Sequence, residues 1–243
     1  MKLRIKFRKQ GSLRFIGHLD IMRYFQKLMR RAEVPIRYSE GFNPHQIMSF
    51  ASPLSVGLLG CGEYVDIDVH SAVSSSDMVE RLNRAGVPDL AVLSCRLLPD
   101  GTKNAMSVVA AADYRVWFKE GKEPEDAAAF WTAAASFAKS PSIPYVRHGK
   151  KGDRQIDLAP SVYLVRTEPC GPVENPVPGI FMRLSQGSQA NIKPEQVLEA
   201  FYLNEGKEYP VYDLQVERVE IYADEGDGTE HRFRALEEYG TEF

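Results

Sequence analysis

The chain opens on strict alternation. Lys2, Arg4, Lys6 and Arg8 fall on one side of an extended backbone and Leu3, Ile5 and Phe7 on the other, which predicts a half-buried strand with a basic outer face. Gln10-Gly11-Ser12 breaks the pattern, and Leu13-Arg14-Phe15-Ile16 resumes it. The period then changes. Leu19, Met22, Phe25 and Met29, widened by Ile21 and Leu28, recur at helical spacing and predict a helix over about 18–32. Arg23, Lys27, Arg30 and Arg31 share another face of that helix. Asp20 in its first turn and the arginines in its last suit the two ends of the helix dipole. A second strand is expected over 34–38, with Pro35 at its start or on an edge.

Residues 46–60 read as extended chain with turns, and 63–69 alternate again. Ser74-Ser75-Ser76-Asp77 supplies a cap for a helix that stops before Gly86, and 90–98 reads as a strand. The order strand, helix, strand, strand, helix, strand predicts an α+β fold of the split βαβ, or ferredoxin-like, kind. A looser second copy follows: a strand at 113–119, a helix at 124–139, extended segments at 143–147, 154–166 and 179–185, a helix at 193–203 and a strand at 214–222. The expected organisation is therefore tandem ferredoxin-like (βαββαβ) modules with antiparallel sheets. The modules occupy 1–99 and 113–223, joined by a linker at 100–112. An acidic tail, 224–243, is expected to fray apart from a short helix around 234–239.

Composition narrows the class. Of 243 residues, 44% are hydrophobic and 26% charged, as in soluble globular proteins. No apolar run approaches the roughly 18 residues of a membrane span. The start, MKLRIKFRKQ, is too charged for a signal peptide, so a cytoplasmic location is expected. Cys61, Cys95 and Cys170 stand in no metal or redox spacing and read as reduced, partly buried thiols. The net charge of −3 conceals an asymmetry. Residues 1–50 hold eleven Lys and Arg against three Asp and Glu, a net +8, which leaves −11 for the remainder. Such a division points to a polyanionic partner for the basic part.

The chemistry gathers at the same place. Tyr38-Ser39-Glu40-Gly41-Phe42-Asn43-Pro44-His45 reads as a shaped loop, because Gly41 permits positive φ and Pro44 excludes helical geometry at Asn43. Lysines and arginines interleaved with aromatic rings suit RNA: cations hold phosphates and rings stack unpaired bases. Arg14, Arg23, Lys27 and Arg30 are the candidate phosphate ligands, with Tyr38, Ser39, Glu40, Phe42, Asn43 and His45 forming the recognition loop. A second basic cluster, Arg147, His148, Lys150, Lys151 and Arg154, resembles a hairpin tip and would add Arg147, Lys150 and Lys151. The alternatives are a solvated basic face and a loop whose polar groups only satisfy its own backbone.

No phosphate-binding glycine loop and no transition-metal spacing occurs. Asp66 and Asp68 share a strand face and could hold a hard cation, although alternating acids more often only solvate a surface. His18 and His45 could act as general acid and base in metal-free RNA cleavage, with Arg14 or Arg23 on the phosphate. Against this, His18 could cap the helix and His45 bond the loop backbone. Neither a metal nor another cofactor is expected.

The run LRFIGHLDIMRYFQKLMRRAEVPIRYSEGFNPHQIMSFASPLSVG resembles the N-terminal signature of the bacterial radical SAM-linked proteins, a domain of unknown function. Glu63-Tyr64-Val65-Asp66 and Gln155-Ile156-Asp157-Leu158-Ala159-Pro160 resemble further family stretches. Gln46 stands where many relatives carry proline, and Gly17 where serine is common. The resemblance implies association with a cobalamin-binding radical SAM enzyme. This chain lacks the CxxxCxxC triad that would make it one. The tandem element order is also similar to that of CRISPR repeat-processing endoribonucleases, a likeness of fold alone. The expected function is thus an RNA-binding accessory or substrate-presenting protein for a radical SAM enzyme acting on tRNA or rRNA. The alternatives are a metal-free endoribonuclease using His18 and His45, and a protein-binding adaptor without RNA contact.

Overall fold

The computed structural model describes residues 1–149, 152–187 and 190–243. In chain order its strands and helices are β1 (Lys2–Lys9), α1 (His18–Arg31), β2 (Met48–Phe50), β3 (Leu59–Asp68), α2 (Ser75–Ala85), β4 (Val92–Leu97), α3 (Ala105–Val108), β5 (Val109–Phe118), α4 (Ala127–Phe137), β6 (Pro144–Arg147), β7 (Arg154–Asp157), β8 (Val162–Cys170), β9 (Val177–Ser185), α5 (Pro194–Asn204), β10 (Leu214–Asp224) and β11 (Phe233–Ala235). The fold is α+β with mostly antiparallel pairing. The chain divides into two compact units, one of Met1–Ala110 with Arg218–Phe243 and one of Ala111–Glu217.

In the first unit β1 is central. It pairs antiparallel with β3, Leu3 opposite Ile67 and Ile5 opposite Val65, and with β4, Ile5 opposite Cys95. β2 joins β3 antiparallel, Met48 opposite Ile67. The strand order is β4-β1-β3, with β2 and the later part of β10 both on the far edge of β3. Gly62 is required there: a side-chain carbon would overlap the Val219 carbonyl oxygen. The apolar face of β1 and β3 carries Leu3, Ile5, Phe7, Val65 and Ile67 into a core closed by α1 and α2. The buried stripe of α1 is Ile21, Phe25, Leu28 and Met29, whereas Leu19 points to solvent. Phe7, Phe25 and Phe50 form an aromatic cluster with centroids 4.7 to 6.1 Å apart. Each such side chain, fully buried, is worth about 1.5–3 kcal/mol before entropy is subtracted.

α2 begins as its sequence predicts. Ser74 caps it, its Oγ accepting the Asp77 N–H at 3.0 Å.

The other face of β1 differs from expectation. Arg4 is 1% exposed and binds Asp66 through Nε and Nη2 at 2.7 and 2.9 Å. Lys6 Nζ lies 2.6 Å from both Glu220 and Glu237. Arg4 and Lys6 are therefore covered and neutralised, whereas Arg8 on the same face stays exposed, and part of the cover is the tail. β11 pairs with β10, Leu236 is fully buried, and Glu237 also accepts from Ser94 at 2.9 Å. Thr241 exchanges backbone bonds with Leu97. Only the short helix expected near 234–239 stands as read, a 3-10 turn at Leu236–Tyr239. Glu237 is the tail acid that reaches Lys6, and the fully buried Leu236 anchors the segment beside it.

Two boundaries shift for related reasons. The expected linker is absorbed into structure: Ala105 in α3 is buried and donates its N–H to Asp66 Oδ2 at 2.8 Å, and β5 starts at Val109. The strand expected at 34–38 is reduced to isolated bridges, Ile36 to Val69 and Tyr38 to Gln46. Pro35 offers no N–H, and the chain turns back too soon to build a ladder.

In the second unit β9 pairs antiparallel with β5, Tyr114 opposite Met182, and with β8, Val165 opposite Met182. The chain entering β10 lies beside the end of β5, where Lys119 N–H donates to the Asp213 carbonyl at 2.8 Å. Phe118, Phe130, Trp131, Phe201 and Tyr202 pack together between this sheet and helices α4 and α5. β6 and β7 form a separate antiparallel hairpin.

Candidate nucleic-acid interface

The loop after α1 is built by its own ends. Ser39 N–H donates to the His45 carbonyl at 2.8 Å, and His45 N–H donates to Ser39 Oγ at 3.1 Å. The same Ser39 Oγ lies 2.8 Å from His45 Nδ1. Gly41 takes a φ of +108°, which closes the turn at little steric cost. The short closure leaves Glu40, Phe42, Asn43 and His45 exposed, with Phe42 wholly in solvent.

Gln46 fixes this loop to the basic helix. Its buried Nε2 donates to the Gln26 carbonyl in the middle of α1 at 3.2 Å and to the Tyr38 hydroxyl at 3.4 Å. Arg30 Nε donates to the same Gln26 carbonyl at 3.3 Å. One backbone oxygen thus draws together the loop base, the half-exposed Tyr38 ring and a helix cation. Arg23, Lys27, Arg30 and Arg31 are all exposed. Arg23 is within 3.2 Å of Asp20, but both are largely in water, where such a pair is worth at most about 1 kcal/mol. These cations remain open to an outside anion. Arg14 is engaged more locally: its Nη1 donates to the Gly11 carbonyl at 3.0 Å and its guanidinium lies 4.6 Å from the Phe15 ring centre.

The two histidines line different clefts. His45 lines an open cleft with Lys2, Ser39, Asp66, Asp68 and Asn104. His18 lines a small, mainly apolar cleft with Lys9, Phe50, Leu54 and Glu63. Its ring packs edge-on against Phe50 at 5.3 Å, and burial holds its pKa below the ordinary imidazole value. It makes no side-chain cap for α1, whose N-cap is Gly17. Lys9, beneath it, is nearly inaccessible and donates to the Ile16 carbonyl at 3.0 Å. Burial also lowers the Lys9 pKa, against the nearby Glu63 carboxylate. Glu63 itself is held by the buried Arg218.

Asp66 is likewise committed to Arg4 and Ala105, so among the described residues the pair Asp66 and Asp68 presents one carboxylate without a partner, not two. Among the described residues no group of three or more His, Cys, Asp or Glu is arranged to hold a metal ion. Arg147 belongs to the second unit, where it is exposed and donates to the Asn191 carbonyl at 3.1 Å. Lys150 and Lys151 lie outside the described residues. Gln46 was legible only as a departure from the family pattern, and its role in joining loop to helix has no signature in the sequence.

Compared with known families, residues 2–194 match the model described as an uncharacterized protein conserved in bacteria (DUF2344). No curated protein matches the chain. Among the described residues no helix is long and apolar enough to cross a membrane.

Proposed function

The chain belongs to this bacterial family, and from that premise and the geometry of its first unit we propose that it is an RNA-binding accessory protein of the cytoplasm. It presents tRNA or rRNA to a radical SAM enzyme. The carrying observation is the shared Gln26 carbonyl, which ties the loop with Tyr38 and Phe42 to the exposed cations of α1. Cations hold the phosphates of a strand while the exposed rings stack on its unpaired bases. The radical SAM partner rests on the sequence resemblance alone. The tandem ferredoxin-like reading is supported by the β4-β1-β3-β2 pairing of the first unit and by the β5, α4, β8, β9, α5 order of the second, into which the β6–β7 hairpin is inserted.

Presentation fits better than cleavage, because His18 and His45 line different clefts, an arrangement that does not favour their serving one phosphate as acid and base. The test is fluorescence anisotropy with an unpaired RNA of mixed sequence, measured across a salt series. The full chain is expected to bind without cleaving, with affinity falling as salt rises. Arg23→Ala with Arg30→Ala should weaken binding and flatten the salt slope by roughly 1–2. No binding at low salt, or binding indifferent to the double substitution, overturns the proposal. Co-purification of the native protein with a radical SAM enzyme tests the partner separately.

A further inference from the structure

The cleft beside the loop has a chemistry that phosphate binding does not use. The β1–β3 register sets Lys2 opposite Asp68, and the β2–β3 register sets Ser49 opposite Asp66. Lys2, Asp68 and Ser49 are half-buried and line the cleft together with His45. Two of these groups are already oriented. Lys2 Nζ donates to the Thr102 carbonyl at 3.1 Å and to Asn104 Oδ1. His45 Nδ1 is taken by Ser39 Oγ, which leaves Nε2 as its remaining polar atom. Asp68 is different. Its backbone is fully engaged, accepting from Arg37 N–H at 2.7 Å and donating to the Ile47 carbonyl at 3.2 Å. Among the described residues, no hydrogen bond or ion pair is made by its carboxylate.

A half-buried carboxylate without a partner is a strong, selective acceptor, because desolvation makes any donor it gains worth more than in water. A planar carboxylate offers two parallel acceptors. Among the four bases only guanine presents two adjacent donors on its Watson–Crick edge, N1–H and the N2 amino group. Adenine and cytosine place an acceptor beside their donor, and uracil has a donor flanked by two carbonyls. We infer that this cleft is a guanine subsite: Asp68 accepts from N1–H and N2–H, while Lys2, Ser49 and His45 Nε2 are at hand for O6 and the sugar-phosphate. The exposed rings of the adjacent loop hold neighbouring bases, so the assignment rests on the RNA-binding reading and adds its sequence preference.

The experiment is isothermal titration of the full chain with guanosine, inosine and adenosine 5′-monophosphates. Inosine keeps N1–H and O6 but lacks the N2 amino group. Guanosine monophosphate is expected to bind roughly tenfold or more tightly than adenosine monophosphate, with inosine monophosphate between them. Asp68→Asn should abolish the order without lowering the melting temperature, since the carboxylate supports no structural contact. Equal binding of the three nucleotides, no binding of any, or an order that survives Asp68→Asn overturns the inference. The preference of the unaltered protein decides the matter even if the variant misfolds. Salt-sensitive RNA binding without guanine preference sinks the subsite and leaves the RNA-binding reading standing. Guanine preference without binding of longer RNA does the reverse.

Discussion

Asp66→Ala is the sharpest probe of how the covered face of the first unit is held. Asp66 and Arg4 are 2% and 1% exposed, so their charges are removed from water together. The carboxylate accepts from Arg4 Nε, from Arg4 Nη2 and from the Ala105 N–H. Deleting it strands a buried guanidinium whose remaining acceptor at good distance is the Leu236 carbonyl, 2.8 Å away. Each orphaned donor costs about 1–3 kcal/mol. Breaking a buried ion pair from one side costs about 3–5 kcal/mol in all. For a unit of this size that lowers the melting midpoint by roughly 10–20 °C. Replacing both partners with apolar residues, Arg4→Met with Asp66→Leu, should recover most of the loss, because no unpaired charge is then left inside. Urea titration followed by tryptophan-independent far-ultraviolet dichroism reads both variants. A single variant within 1 kcal/mol of the native protein, or a double variant as unstable as the single, would refute the claim that Asp66 serves Arg4 rather than a ligand.

Leu236→Ala should cost about 2–5 kcal/mol by denaturant titration, because this tail residue is fully buried; a smaller effect would restore the fraying tail. His18 should titrate below 6.5 by NMR, and Phe50→Ala should move it upward by admitting water. Its sign is definite. The folded pKa is lowered, so the unfolded chain takes the proton first, and stability falls as pH drops through the ordinary imidazole value and levels off below the folded one. Phe42→Ala should leave stability within about 0.5 kcal/mol yet weaken RNA binding by roughly 1–3 kcal/mol; equal RNA affinity would remove Phe42 from the interface.

Local pattern determined a good deal. Alternation located β1 and β3, the serine cluster located the start of α2, periodicity located α1, and the helices expected at 124–139 and 193–203 correspond to α4 and α5. The shaped loop was legible too, since Gly41 permits a positive φ and Pro44 restricts the backbone of Asn43 whatever surrounds them. These features share one cause: they depend on residues a few positions apart, whose geometry the covalent chain fixes. What the tertiary structure alone decided was the fate of charge. Arg4 and Lys6 look like a solvent face until residues 66, 220 and 237 arrive to bury and neutralise them. Gln46 and the tail are placed in the same way, by partners that meet them only in the folded chain. A side chain's burial and partners are properties of the space it occupies, and that space is created only when distant strands come into register.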